Sequence, residues 1–203
     1  MPDSLKATPM RTVACNGFTL IEQLLVIAIV AVLIGTALPI TGDALDALRT
    51  QGAARYLAAR IVNGRMDAIK RSTRIGLRFE VGPGDYTYRP FIDGNWNGIR
   101  TADITSGVDR PLGPAERLGD NFTGVRFGLM PGLPDADGQP NGGTDGVRIG
   151  AARILTTSPD GTATAGTLYV RGRNTQYAVR VLGATGRVRV MEYLKGDRKW
   201  ISR

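Results

Sequence analysis

Residues 17–33 read GFTLIEQLLVIAIVAVL, and in the whole stretch 18–40 the only ionisable side chain is Glu22. The run is long enough to cross a bilayer as a helix, which takes about 20 apolar residues. A carboxylate inside the hydrocarbon costs about 2.5–3.5 kcal/mol on insertion scales, so Glu22 must sit near the surface, be neutralised or be paired. The preceding segment is polar and weakly basic, with Lys6 and Arg11 against Asp3, a pattern retained on the cytoplasmic side. A cut between Gly17 and Phe18 would create an α-amino group at the membrane edge. Glu22 would then lie one helical turn away, on the face of that amine or facing a neighbour's.

The stretch resembles the leader-cleavage motif of type IV pilins and type II secretion pseudopilins. The resemblance implies a leader over residues 1–17, cleavage after Gly17 by a prepilin peptidase in the membrane, and N-methylation of Phe18. Glu22 then takes the assembly role of the family's glutamate, neutralising the N-terminus of the adjacent subunit. Pro39 matches a kink common near the end of the hydrophobic half of pilin helices. It further implies a single-pass inner-membrane protein in contact with lipid, with its C-terminal domain in the periplasm, that enters a pilus with other pilins. An ordinary secretory signal is the competing reading, since Gly35-Thr36-Ala37 has small-residue cleavage character. The apolar part of such a signal is about 7–15 residues long and free of glutamate.

Outside leader and apolar run, about 160 of the 203 residues remain for one domain, a common size. The one cysteine, Cys15, falls in the expected leader, and the chain has no histidine. Disulfides are therefore not expected in the mature chain, and the commonest general base and metal ligand is missing. The formal net charge is +8, but residues 18–164 balance at 15 basic against 15 acidic groups. Residues 165–203 hold nine basic groups against Glu192 and Asp197, so the surplus lies at the C-terminal end.

The expected architecture is α+β: a long N-terminal helix followed by a mainly antiparallel, β-sandwich-like domain, the type IV pilin fold that the resemblance implies. The divisions are leader 1–17, transmembrane and assembly helix 18–40, amphipathic continuation 41–72 and β-rich periplasmic domain 73–203. Thr41-Gly42-Asp43 supplies a break and a cap. Leu45, Leu48, Tyr56, Ile61, Met66 and Ile69, interleaved with basic residues, mark the apolar face of the continuation. Alternation predicts a hairpin from 74–80 and 86–91, then strands at 122–129, 148–157, 167–171, 175–182 and 187–193. Residues 92–120 and 131–146, rich in Gly, Asp, Asn and Pro, read as long loops.

In the last hairpin, Arg187 and Arg189 are two apart and leave one face of the sheet roughly 6.6–7 Å from each other. Val188 and Val190 point to the core. Paired guanidinium forks suit successive phosphate oxygens. Arg171, Arg173, Arg180, Lys195, Arg198 and Lys199 would widen the patch, with Tyr193 or Trp200 stacking on bases. The plainer reading is solvation and protection of a sheet edge. Ser158-Pro-Asp-Gly161, a strand pair and Gly186-Arg-Val-Arg189 resemble the C-terminal region of the GspH/FimT class of minor pilins. In FimT-like members a Gly-Arg-x-Arg motif is associated with DNA binding during natural transformation, and here it falls on Gly186, Arg187 and Arg189. Members of type II secretion systems share the fold without a DNA site. A GspH-like minor pseudopilin, or a purely structural subunit that initiates the pilus, therefore stays open beside the DNA-binding minor pilin.

Asp93, Asn95, Asn97 and Gly98 repeat the opening of a calcium loop, but the closing position is Ile104, with Asp103 one short. Asx turns account for the same composition, and neither a metal nor a cofactor is expected. Nor is an enzyme: the remaining acids of note, Asp135 and Asp137, flank one position of a Gly/Pro loop, where carboxylates are usually solvated.

Overall fold

A computed structural model describes residues 17–140 and 143–203, and of 36–41 the backbone alone. The leader expected over 1–17 lies outside the described residues except for Gly17, and the side chain of Pro39 lies outside them too. Residues 42–203 form one compact unit, separate from the described residues before them.

Helix α1, Leu20–Arg71, runs through Thr41-Gly42-Asp43, where a break and a cap were expected. Its first turn is closed by Thr19, whose Oγ1 accepts the Glu22 N–H at 3.3 Å. Thr19-x-x-Glu22 thus has the spacing of a capping box, a local signal visible in the sequence but passed over. Glu22 in the first turn also complements the positive end of the helix dipole. Every large apolar side chain from Phe18 to Ile34 is exposed. Among the described residues no helix is long and apolar enough to cross a membrane.

Within residues 42–203 the buried face of α1 keeps Ile61 from the expected set and otherwise differs from it. Leu45, Leu48, Met66 and Ile69 are exposed, whereas Thr50, Ala53, Ala54, Leu57, Ile61 and Ala68 are buried. The buried set keeps the 3.6-residue period, but it is built on alanines, which let the helix axis approach the sheets closely. Gly52 serves the same end: a side chain there would press on the ring of Phe122.

The first sheet contains β1 (Ile75–Val81), β2 (Tyr86–Ile92), β3 (Arg110–Pro111), β4 (Glu116–Arg117) and β7 (Ile154–Thr157), in the order β3-β2-β1-β7 with β4 also on β2. The second contains β5 (Arg126–Phe127), β6 (Val147–Arg148), β8 (Gly166–Arg171), β9 (Gln176–Leu182), β10 (Arg187–Leu194) and β11 (Lys199–Ser202), in the order β11-β10-β9-β8-β5 with β6 also on β8. All strand pairs described are antiparallel. One core takes Leu57 and Ile61 from α1, Leu77, Phe79 and Tyr88 from the first sheet, and Leu168, Val170, Val179 and Val181 from the second. The architecture is therefore α+β, with a helix and two antiparallel sheets sharing that core.

Both expected hairpins form, β1–β2 and β9–β10. The expectation of one strand over 148–157 fails. The chain leaves β6, turns through Gly150 and Arg153 at positive φ, and enters β7 in the other sheet. The 122–129 strand shrinks to β5, since Phe122 instead ends the short helix α3 (Leu118–Asn121) and packs against Tyr56. The 92–120 loop contains helix α2 (Thr101–Ser106), β3 and β4. Elements of two to six residues offer too few positions for periodicity to register.

Candidate nucleic-acid interface

The face in question begins at the β9–β10 turn. Gly186 adopts φ 58°, where a side chain is disfavoured, and any Cβ there would collide with the carbonyl oxygen of Gly161. Gly161, at φ 85°, closes the Ser158-Pro-Asp-Gly161 turn by donating its N–H to the Ser158 carbonyl at 3.0 Å. Arg65 Nε of α1 donates to the Gly161 carbonyl at 3.0 Å. The two sequence motifs are thus one contact: turn against turn, held by a helix arginine. Gly186→Ala should lower stability by about 2 kcal/mol, from the left-handed backbone and the collision together, read as a fall in thermal midpoint.

This anchored turn delivers Arg187 and Arg189 to the solvent side of β10, both exposed, while the half-buried Val188 and Val190 pack onto the core. Among the described residues neither arginine side chain has a hydrogen-bonded or ion-pair partner. Register sets a row across the same face: Arg189 opposes Arg180, Arg180 opposes Thr167, and Thr167 opposes Arg148. Arg180 and Arg148 are occupied. Arg180 Nη2 lies 2.7 Å from Asp137 Oδ1, and Arg148 Nη1 lies 3.7 Å from Asp135 Oδ2. Arg148 also stacks over Tyr169, 4.8 Å from the ring centroid. Asp135 and Asp137, expected as solvated loop acids, therefore lie on the basic face and line a cleft of about 500 Å³ with Arg148, Tyr169 and Arg180.

The other basic candidates do not join this patch. β10 is eight residues long, so its ends are roughly 24 Å apart. Arg171, Arg173, Lys195, Arg198 and Lys199 all cluster at the end away from Arg187, around the turns that leave β8 and β10. Lys199 Nζ is 3.7 Å from Asp197, and Arg203 Nε is 2.6 Å from Glu192. Arg171 opposes Arg126 across β5–β8, and burial, then Arg126, lowers its pKa. Arg126 was missed because only the β5–β8 register brings it there.

The rings of Tyr193 and Trp200 are engaged within the fold. Tyr193 is 8% exposed. The Trp200 ring packs 5.3 Å from Tyr193 and 5.9 Å from Tyr169, and its Nε1–H donates to the Pro134 carbonyl at 3.1 Å. β11, absent from the sequence reading, is what carries Trp200 into this cluster under the 129–136 loop.

The chain is similar to a pilin-like protein. Pilin-like protein PilA1 of Thermus thermophilus is 42% identical over 83 residues, which is 40% of this chain and 51% of that protein. The chain thus spans about half the length of this curated relative. No protein-family model and no solved structure matches. The likeness to a pilin-like protein accords with a long N-terminal helix before antiparallel sheets, the order seen here.

The loop that opens with Asp93 is organised by its own backbone. Buried Asp93 accepts the N–H of Asn95 at 3.2 Å and of Gly98 at 2.7 Å, and its Oδ2 is 3.8 Å from Arg74. Asn95 accepts the N–H of Asn97, and buried Asp109 accepts those of Gly94 and Arg100. Asp109 is not legible in the sequence, because a carboxylate after Gly and Val gives no local hint of this reach. Among the described residues no three His, Cys, Asp or Glu side chains gather where a metal ion would be held.

Proposed function

We propose that this chain is a minor type IV pilin that binds DNA through Arg187 and Arg189, supporting pilus biogenesis and DNA uptake in natural transformation. A prepilin peptidase cuts after Gly17, Phe18 is N-methylated, and the chain waits in the inner membrane with its C-terminal domain in the periplasm. Residues 18–40 cross the lipid, where the uncovered side chains from Phe18 to Ile34 meet hydrocarbon instead of water. In the pilus, at the cell surface, Glu22 pairs with the new amine of a neighbouring subunit. The exposed Leu45, Leu48, Val62, Met66 and Ile69 of α1 offer apolar area for packing against other pilins. The reading gives the chain no catalytic role and no cofactor.

The observation that carries the DNA assignment is a pair of exposed, partnerless arginines on a turn fixed by Gly186, Gly161 and Arg65. The turn needs no backbone ordering when the pair grips successive phosphates, and each planar guanidinium fork meets them bidentately. Binding is then indifferent to sequence and falls steeply with salt. In the full chain kept soluble with detergent, Arg187→Gln plus Arg189→Gln should weaken duplex binding at least tenfold near 0.1 M salt. It should also flatten the salt slope by about 1.8. Unchanged affinity would reject the assignment.

A structural role alone is the second reading, as a pilus-initiating subunit or a GspH-like minor pseudopilin of a type II secretion system. It draws on the number of C-terminal basic groups already engaged by Asp137, Asp197 and Glu192.

A further inference from the structure

We infer that Arg180 is a third phosphate contact of this face, held in reserve by Asp137, which occupies its guanidinium until nucleic acid displaces the carboxylate. The inference rests on the DNA-binding reading above and extends it to a residue that is ion-paired in the free protein.

Three observations carry it. First, Arg180 directly opposes Arg189 in the β9–β10 register, so the two side chains leave the same face, about 5 Å apart at their bases. Two like charges so placed repel, and an anion between or beside them relieves the repulsion. Second, the anion present is Asp137, 2.7 Å from Arg180, with the two side chains 59% and 32% exposed respectively. An ion pair this open to water is weak and exchangeable. Third, Asp137 stands at the tip of an anchored loop, in the turn that Asp135 and Gln139 close. Leu133 and Ala136 pack on the Tyr169 cluster, the Ala136 N–H donates to Tyr169 Oη at 2.9 Å, and Pro134 accepts from Trp200. Asp135 is committed to loop structure, its Oδ1 accepting the N–H groups of Asp137 and Gln139 at 2.9 Å. The Asp137 carboxylate has no such duty. The loop holds its position while that one side chain can rotate away.

Arg187, Arg189 and Arg180 then form a triangle of guanidinium groups, two free and one exchangeable. A phosphate oxygen reaching Arg180 replaces one oxyanion by another and releases Asp137 to water. The cost of removing Asp137 makes the wild-type face bind less tightly than its three arginines allow, and it favours polyanions that present several phosphates together over single anions.

The test is a duplex-DNA titration across salt concentrations, using the detergent-solubilised full chain. The proteins are wild type, Asp137→Asn, Arg180→Gln, the double variant, and Asp120→Asn as a charge-matched change elsewhere. Asp137→Asn should tighten binding roughly fivefold at low salt and steepen the salt slope towards an added contact, by at most about 0.9. The double variant should lose that gain, and Asp120→Asn should show much less of it. Equal binding by wild type and Asp137→Asn would overturn the inference while leaving the Arg187–Arg189 reading intact. A gain that survives Arg180→Gln would overturn it as well, since general charge would then be the cause. No duplex binding by wild type or any variant would remove the DNA reading itself.

Discussion

Replacing Glu116 with alanine should lower the stability of the folded chain by about 3 kcal/mol, because three donors converge on this carboxylate. Tyr56 Oη donates to Oε2 at 2.7 Å, Tyr88 Oη donates to the same oxygen at 3.2 Å, and Arg60 Nη2 donates to Oε1. Tyr56 and Arg60 belong to α1, whereas Tyr88 and Glu116 are cross-strand partners in the first sheet. The carboxylate therefore ties helix to sheet. Burial, followed by the charge of Glu116, raises the pKa of Tyr88, so its phenol stays protonated and donates at any physiological pH. The Tyr88 ring is almost wholly buried and the Glu116 side chain is 18% exposed. Alanine would leave a buried phenol and a half-buried guanidinium without their acceptor. For a domain of this size the loss corresponds to a fall of roughly 6–12 °C in thermal midpoint. Glu116→Gln, which keeps acceptor atoms but loses the charge, should fall about half as far. A midpoint unchanged by Glu116→Ala would show that α1 is held by its alanine-rich apolar face alone.

Asp46→Ala should cost a similar amount, about 3 kcal/mol, by releasing the β8–β9 turn. Asp46 projects from α1 and accepts the N–H groups of Arg173 and Asn174 at 2.7 and 2.9 Å and the Thr175 hydroxyl at 2.8 Å. The chain comes so near that any side chain on Gly172 would run into Asp46 and Thr50. Burial pushes the carboxyl upward, yet these bonds, led by the Arg173 and Asn174 N–H groups, outweigh it and leave the pKa below its ordinary value. The folded-state value is thus lower than the unfolded one, near 3.9. The carboxylate's contribution is complete above about pH 4 and is lost as the pH falls through the folded value. Thermal midpoints of wild type and Asp46→Ala should accordingly differ most near neutrality and draw closer as the pH falls through the folded value. Asp43, which accepts a single bond from Asn174, should matter much less. A constant gap across pH would mean that Asp46 acts through packing instead of its charge.

Both networks were invisible in the sequence, since Glu116 is 56 residues from Arg60 and Asp46 is 127 from Arg173. Local signals were readable. The apolar run with one acid, the alternation in residues 176–182 and 187–194, and glycines at tight turns all express constraints that act within a few residues. For the same reason Arg187 and Arg189 could be placed on one face, as a period of two requires.

What needed the tertiary structure was every question of which surfaces meet. Alanines, neutral in any hydropathy pattern, became the buried face of α1 because two sheets required close approach. Arg180 and Arg148 look as free as Arg187 in the sequence, but a loop some 40 residues from Arg180 brings Asp137 and Asp135 onto them. Arg171, Arg173 and Lys195 were near Arg187 along the chain and far from it in space, because each antiparallel reversal sends neighbours to opposite ends of the sheet. Side-chain direction along a strand is dictated by covalent geometry, so sequence alone determines it. Charge pairing depends on where distant loops close, and that is decided only when the whole core packs.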